Sequence, residues 1–254
     1  MTDIGHKAPV TVVIPCFNEQ DGLPMLLERL RRMHQAPATH DWHFLFVDDG
    51  SSDDTFRILL QATRDESWIE VLRHPQNMGL GAALRTGFAH VRSPIVCTMD
   101  SDCTYPPERL PELATLIRRG ADVATASPWH PDNEDSEDSE GTTLRLTLSR
   151  SASLVYRAMI GQEVHTFTCL QRAYRLESLH ALSFRADGFS AVAEIMLRSL
   201  MAGHKIAEVP MPLEARRFGE SKLRVGDAIM AHMGLLTLTA ATVSFRQLIR
   251  MLGR

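Results

Sequence analysis

Cysteine is scarce in this chain of 254 residues, and its four copies, Cys16, Cys97, Cys103 and Cys169, are scattered without a CxxC pair. That spacing signals neither a disulfide framework nor a zinc site, and it fits a reducing compartment. Positive charge is not in excess. The net charge is −4, and six of the 31 acids (Asp132, Glu134, Asp135, Glu137, Asp138 and Glu140) crowd into nine residues. Without a strongly basic face, nucleic acid is not an expected partner. The opening MTDIGHKAPV has no apolar core that could serve as a secretion signal, so a cytoplasmic location is expected. Long apolar runs are missing too. The best candidate, residues 228–245, runs 18 positions without an acid, Lys or Arg but includes His232 and several Thr and Ser. That is short of the roughly 20 apolar residues a spanning helix needs.

What is present is an ordinary globular composition, 44% hydrophobic and 23% charged, enough for one large α/β domain. From residue 10, short apolar runs alternate with longer segments of helical period, the pattern of βαβ units and a mostly parallel sheet. Strands are predicted over 10–14, 43–47, 69–72, 95–99 and 122–126, with helices over 22–34, 53–65, 80–91 and 107–119. Ser52 and Asp53 are placed to cap the second helix, Pro106 and Pro107 open the fourth, and Gly120 stops it. Beyond residue 126 come a Pro-, His- and acid-rich loop (128–143), a helix at 144–160, a strand near 173–176, a helix at 190–202 and a short strand ending at Pro210.

In an open α/β sheet, ligands bind beyond the carboxyl ends of the strands. The residues there are Pro15-Cys16-Phe17-Asn18-Glu19, Asp48-Asp49-Gly50-Ser51 and Asp100-Ser101-Asp102. One acidic pair could be a turn. Three acidic clusters at one sheet edge repel one another unless a hard cation or a positive ligand sits among them. The segment Asn77-Met78-Gly79-Leu80-Gly81 lacks the third glycine of a dinucleotide fingerprint and reads as a tight turn into a helix.

The pieces VVIPCFNE (12–19), FVDDGSSDDT (46–55), NMGLGAALRTGF (77–88), MDSDCTYPPE (99–108), RxxxSR (145–150), QRAYR (171–175) and RRFGESKL (216–223) occur in that order. As an ordered set they resemble the GT-A fold glycosyltransferases of family 2, and within them the dolichol- or polyprenyl-phosphate sugar synthases of the dolichol-phosphate mannosyltransferase type. The resemblance implies a GT-A fold, a mostly parallel twisted sheet flanked by helices. It also implies an inverting, metal-dependent hexosyltransferase. The donor is a nucleoside diphosphate sugar, of GDP-mannose or UDP-glucose type, and the acceptor a polyprenyl or dolichyl phosphate.

It assigns roles as well. Pro15, Phe17, Glu19, Val47 and Asp49 match positions that hold the nucleoside. Asp100, Ser101 and Asp102 match the DxD-type motif, whose acids hold Mg²⁺ or Mn²⁺ beside the sugar diphosphate, an all-oxygen site suited to those ions. Thr104 stands where several relatives carry a Gln that also reaches the metal. Arg216 and Lys222 match residues that close over the donor phosphates. Arg145 and Ser149, four apart on one helical face, match residues that meet the acceptor phosphate.

A lipid phosphate is already an anion and needs no base, whereas a sugar hydroxyl needs a carboxylate. Outside the acidic loop the chain has no ED pair, and it has no QxxRW motif. Asp187 and Glu194 are the remaining base candidates, with Glu194 expected to pair with a neighbouring cation. Where the synthases carry GSR, this chain has Ala126-Ser127-Pro128, and Pro cannot contact an anion. Arg145, Arg150 or His130 would then meet the acceptor's charge. The alternatives are transfer to a glycan or small-molecule hydroxyl, and a non-catalytic nucleotide-binding module. Residues 1–225 are expected to form the catalytic domain. Residues 226–254 are expected to form an amphipathic helix, with Ile229, Met233, Leu236, Ala240 and Val243 on one stripe, lying at a cytoplasmic membrane face. Packing of this helix on protein is the alternative.

Overall fold

The computed structural model describes residues 8–133, 144–161, 163–213 and 234–235, and the side chains of residues 144–146 and 148 lie outside that description. Arg216, Lys222 and the tail at 226–254, apart from 234–235, also fall outside it.

The run VTVVIPC makes β1 (Val10–Cys16), buried at nearly every position, as expected of a strand covered on both faces. Parallel to it lie β2 (His43–Asp48) on one side and β4 (Ile95–Thr98) on the other, and β3 (Ile69–Arg73) follows β2 to the sheet edge. The order is completed by β5 (Val123–Ser127), β6 (Arg172–Arg175) and β7 (Ile206–Pro210), giving β3-β2-β1-β4-β6-β5-β7. β6 alone among these strands runs against its neighbours. The carboxyl ends of β4 and β5 therefore flank the start of β6, and the segment leading into β6 enters the ligand edge.

Residues alternate between faces with the period of 2 that a pleated strand imposes. Val10, Val12, Ile14 and Cys16 pack with α1 (Leu23–Gln35), α2 (Thr55–Asp65) and α4 (Leu110–Arg118). Val13, Leu45, Val47 and Val96 pack with α3 (Leu80–His90) and α7 (Ser190–Ala202). α5 (Leu144–Ile160) adds Tyr156 to that second layer, and α6 (Leu176–His180) adds Leu179. This is the expected sheet between two helical layers.

Three local expectations need correction. α2 starts at Thr55 with Asp54 at its cap position, and Asp53 instead accepts the amide protons of Thr55 (2.9 Å) and Gln20 (3.3 Å). The predicted helix at 107–119 divides into a 3₁₀ turn, Pro107–Arg109, and α4, which Gly120 ends at φ 103°. α6 was not foreseen, because five residues are too few to show a helical period. Among the described residues no helix is long and apolar enough to cross a membrane. Of the tail, Leu235 is described, and it is buried in the second core layer.

Candidate active site at the carboxyl edge of the sheet

The loops after β1 and β2 are fastened to each other. The Asn18 amide donates to Ser51 Oγ (2.9 Å) and the Glu19 amide to Thr55 Oγ1 (2.7 Å), while Asn18 Oδ1 accepts the Ser52 amide (2.8 Å). Asn18 takes a left-handed conformation, φ 52°, which Asn tolerates better than most residues. Pro15 lies opposite Val47 in the parallel register, with Val47 fully buried. These bonds bring Pro15, Phe17, Glu19, Val47 and Asp49 to one corner.

Asp49 is 4% exposed and heavily engaged. One oxygen accepts from His74 Nδ1 (2.6 Å) and the Met78 amide (2.9 Å), and the other from the Gly79 amide (2.8 Å). Its charge thus satisfies amides at the start of α3 and holds the turn at 77–79 against β2. That turn is no phosphate loop. A Cβ on Gly81 would lie 2.0 Å from the Ala186 carbonyl oxygen, and the Gly81 amide donates to the Asp187 carbonyl (2.6 Å), so the glycine is there for packing. His74, which sequence reading missed, bridges Asp49 and Thr86 Oγ1 (2.9 Å) from a buried position. A lone His after a strand gives no pattern to find.

After β4 come Asp100, Ser101 and Asp102, with Ser101 buried and both acids partly exposed. Asp102 Oδ1 accepts the amide (2.9 Å) and hydroxyl (2.7 Å) of Thr104, which fixes the carboxylate. Between them Cys103 sits at φ 55°, a conformation an L side chain rarely adopts. Carboxylates two apart give an all-oxygen donor set, the kind that suits Mg²⁺ or Mn²⁺. The nearby thiols are inert: burial pushes Cys103 up to about 11 and Cys169 up to about 12.

Tyr105 packs with Ala126, Cys169 and Met211, joining the loop after β4 to the ends of β5 and β7. Here Ser127 Oγ meets Thr166 Oγ1 (2.8 Å), and Gln171 Nε2 donates to the Pro106 carbonyl (3.0 Å). Ser149 Oγ lies 2.6 Å from Thr168 Oγ1, so it reaches the segment that enters the edge before β6. Arg145 belongs to the first turn of α5, its side chain outside the described residues. Arg150 stands over the Trp129 ring (5.7 Å). The buried Arg172 of QRAYR donates to the carbonyls of Phe167 and Val192 (2.7 Å each), a structural brace. Of the two base candidates, Glu194 accepts from Arg198 Nε (2.7 Å) and from the amides of Arg185 and Ala186, as expected of a paired acid. Asp187 is paired with Arg85.

The family described as Glycosyl transferase family 2 matches residues 11–183. The undecaprenyl-phosphate 4-deoxy-4-formamido-L-arabinose transferase of Klebsiella pneumoniae is 31% identical over 236 residues, 92% of this chain and 68% of that protein. The enzyme of the same name from Salmonella choleraesuis is 28% identical over 246 residues, 95% of this chain and 71% of that one. Among solved structures, glucosyl-3-phosphoglycerate synthase from Mycobacterium tuberculosis, in complex with Mn²⁺, UDP and glucosyl-3-phosphoglycerate, superposes with a TM-score of 0.67 at 21% identity. That match covers 93% of this chain and 80% of the other, and it shares the GT-A architecture. With a family match from β1 through the DxD-type acids to β6, the chain belongs to glycosyltransferase family 2.

Proposed function

We propose that this glycosyltransferase moves one sugar from a nucleoside diphosphate to a polyprenyl phosphate, inverting the anomeric carbon. One observation carries the reading: the fixed Asp100–Asp102 edge lies beside the fastened β1 and β2 loops, in a chain whose relatives are undecaprenyl-phosphate sugar transferases. Pro15, Phe17, Glu19, Val47, Asp49 and Ser101 line the nucleoside corner, with Asp49 acting through the loop it holds. Asp100 and Asp102 would hold Mg²⁺ or Mn²⁺, and Thr104 joins that set through its bonds to Asp102. A bound divalent ion would neutralise the diphosphate as it leaves. Arg216 and Lys222 are assigned to the donor phosphates, Arg145 and Ser149 to the acceptor phosphate.

An anionic phosphate oxygen attacks C1 on the face opposite the leaving nucleotide, so no proton needs to be taken. The commitment of Glu194 agrees with that, since this buried acid is already held by Arg198 and two amides, while Asp187 pairs with Arg85 through one oxygen and stays largely exposed. The relatives' names specify a modified arabinose and the structural neighbour holds UDP, so neither supports GDP-mannose; a UDP-linked sugar is the donor proposed. The reaction is assigned to a cytoplasmic membrane face, with residues 1–225 as the catalytic unit and 226–254 as the membrane-contacting helix. Incubation with Mn²⁺, polyprenyl phosphate and a panel of labelled UDP- and GDP-sugars tests this. Label from a UDP-sugar should enter the organic phase, and label found only in water-soluble glycans would refute it.

A further inference from the structure

We propose that His130, His165 and Glu208 form a second cation site, for a borderline divalent ion of the Zn²⁺ class, separate from the all-carboxylate pair at Asp100 and Asp102. One ligand atom from each of the three residues lies within 4.8 Å of the other two. The residues are 35 and 43 apart in sequence and come from three different segments: the turn after β5, the segment between α5 and β6, and strand β7. A local turn does not explain their convergence.

Two of the three are already held. Glu208 lies opposite Thr125 in the β5–β7 register, and its carboxylate accepts the amides of His165 (3.0 Å) and Thr166 (3.1 Å). His165 Nδ1 stands 2.7 Å from Glu208 Oε2, and the His130 ring meets the His165 ring edge-on with centroids 5.4 Å apart. His130 Nδ1 accepts the Asp132 amide (3.2 Å) and lies 3.6 Å from the Asp132 carboxylate; for Nε2 to take an ion, its proton passes to Nδ1, where that carboxylate can accept it. A structural role for Glu208 as a clamp on residues 165–166 accounts for the Glu–His contact. It does not account for a second imidazole against the first.

The chemistry selects the ion. Two imidazole nitrogens and one carboxylate oxygen are a Zn²⁺-type donor set, whereas the hard ions of the DxD-type acids prefer oxygen alone. Around a tetrahedral ion with bonds of about 2.0–2.2 Å, neighbouring ligand atoms stand roughly 3.3 Å apart. His165 Nδ1 and Glu208 Oε2 stand 2.7 Å apart and all three ligand atoms lie within 4.8 Å of one another, so small side-chain shifts complete the site. On binding, the ion replaces the proton shared by His165 and Glu208, which is released to solvent. Three protein ligands leave a fourth position for water or an anionic oxygen. Because β5 runs parallel to β4, the site lies at the same end of the sheet as Asp100 and Asp102.

The test is calorimetry on the full chain, stripped with chelator and titrated with Zn²⁺ alone, with the visible absorption of Co²⁺ as a second readout of nitrogen ligation. Wild type should bind one tight equivalent. His130→Ala should weaken it by roughly tenfold or more and lose the Co²⁺ bands, while Asp102→Asn should keep both. Glu208→Gln should weaken it too, but it also loosens the clamp on residues 165–166, so the partly exposed His130, checked for folding by circular dichroism, is the decisive position. Unchanged Zn²⁺ affinity in folded His130→Ala, loss of the tight equivalent in Asp102→Asn, or no tight equivalent in wild type would each overturn the site.

Discussion

At Asp49 a single buried carboxylate serves one imidazole and two amides. An amide side chain there would point one N–H at another donor, so Asp49→Asn should cost about 2 kcal/mol in urea unfolding, within the range for an unsatisfied buried group. A loss below about 0.5 kcal/mol, the scale of a surface change, would mean that the loop does not depend on this charge. Donor affinity should fall with stability, since the same bonds place the 77–79 turn. Thr104 acts on a smaller scale. Thr104→Val keeps the shape and removes the hydroxyl bond to Asp102, worth about 1 kcal/mol, so metal-dependent transfer should slow about fivefold. Thr104→Ser should recover it. Equal rates in all three would leave Asp102 fixed by the backbone amide alone. Reading residues in sequence picks out acids after strands but not what they already bind, and for that reason His74 was not foreseen.

Element packing sets a different kind of limit. The start of α3 lies against the 186–188 backbone so closely that Gly81→Ala must push the two apart, at a cost of about 1–3 kcal/mol. Gly188→Ala, where an added Cβ meets nothing within 4 Å, should stay within about 0.5 kcal/mol. Thermal unfolding of the pair checks this, and equal effects would contradict the close approach. Asp122 ties the start of β5 to the segments before β7 and after β6. Burial alone would raise its pKa, but the Lys205 amide, the Ser178 hydroxyl and the charges of His204 and Arg175 outweigh it and hold the carboxyl below its usual range. The unfolded chain therefore takes up this proton first as the pH falls. The contribution is complete at neutral pH and is lost as the pH drops below about 4. Asp122→Asn should accordingly be less stable than wild type by ~1 kcal/mol at pH 7, with the gap closing at low pH; a constant gap would deny the linkage.

Across the whole molecule, legibility followed the length and period of each signal. Strands buried on both faces read as continuous apolar runs, so β1, β2 and β4 were found within a residue or two of their observed ends. The reversed direction of β6 was not readable, because strand direction depends on where the chain returns and not on the four residues RAYR. The DxD-type acids were legible because they follow a strand in a fixed spacing. The grouping of His130, His165 and Glu208 was not, since only the fold brings such distant residues together.

The central claim is that the attacking group is already an anion, which makes the acceptor's phosphate the deciding feature. The most direct test offers the enzyme, with Mn²⁺ and a labelled UDP-sugar that it accepts, equal amounts of polyprenyl phosphate and the matching polyprenol. Because the alcohol would need a base to take its proton and the phosphate does not, the account predicts label on the phosphate alone. Comparable transfer to the alcohol would contradict it.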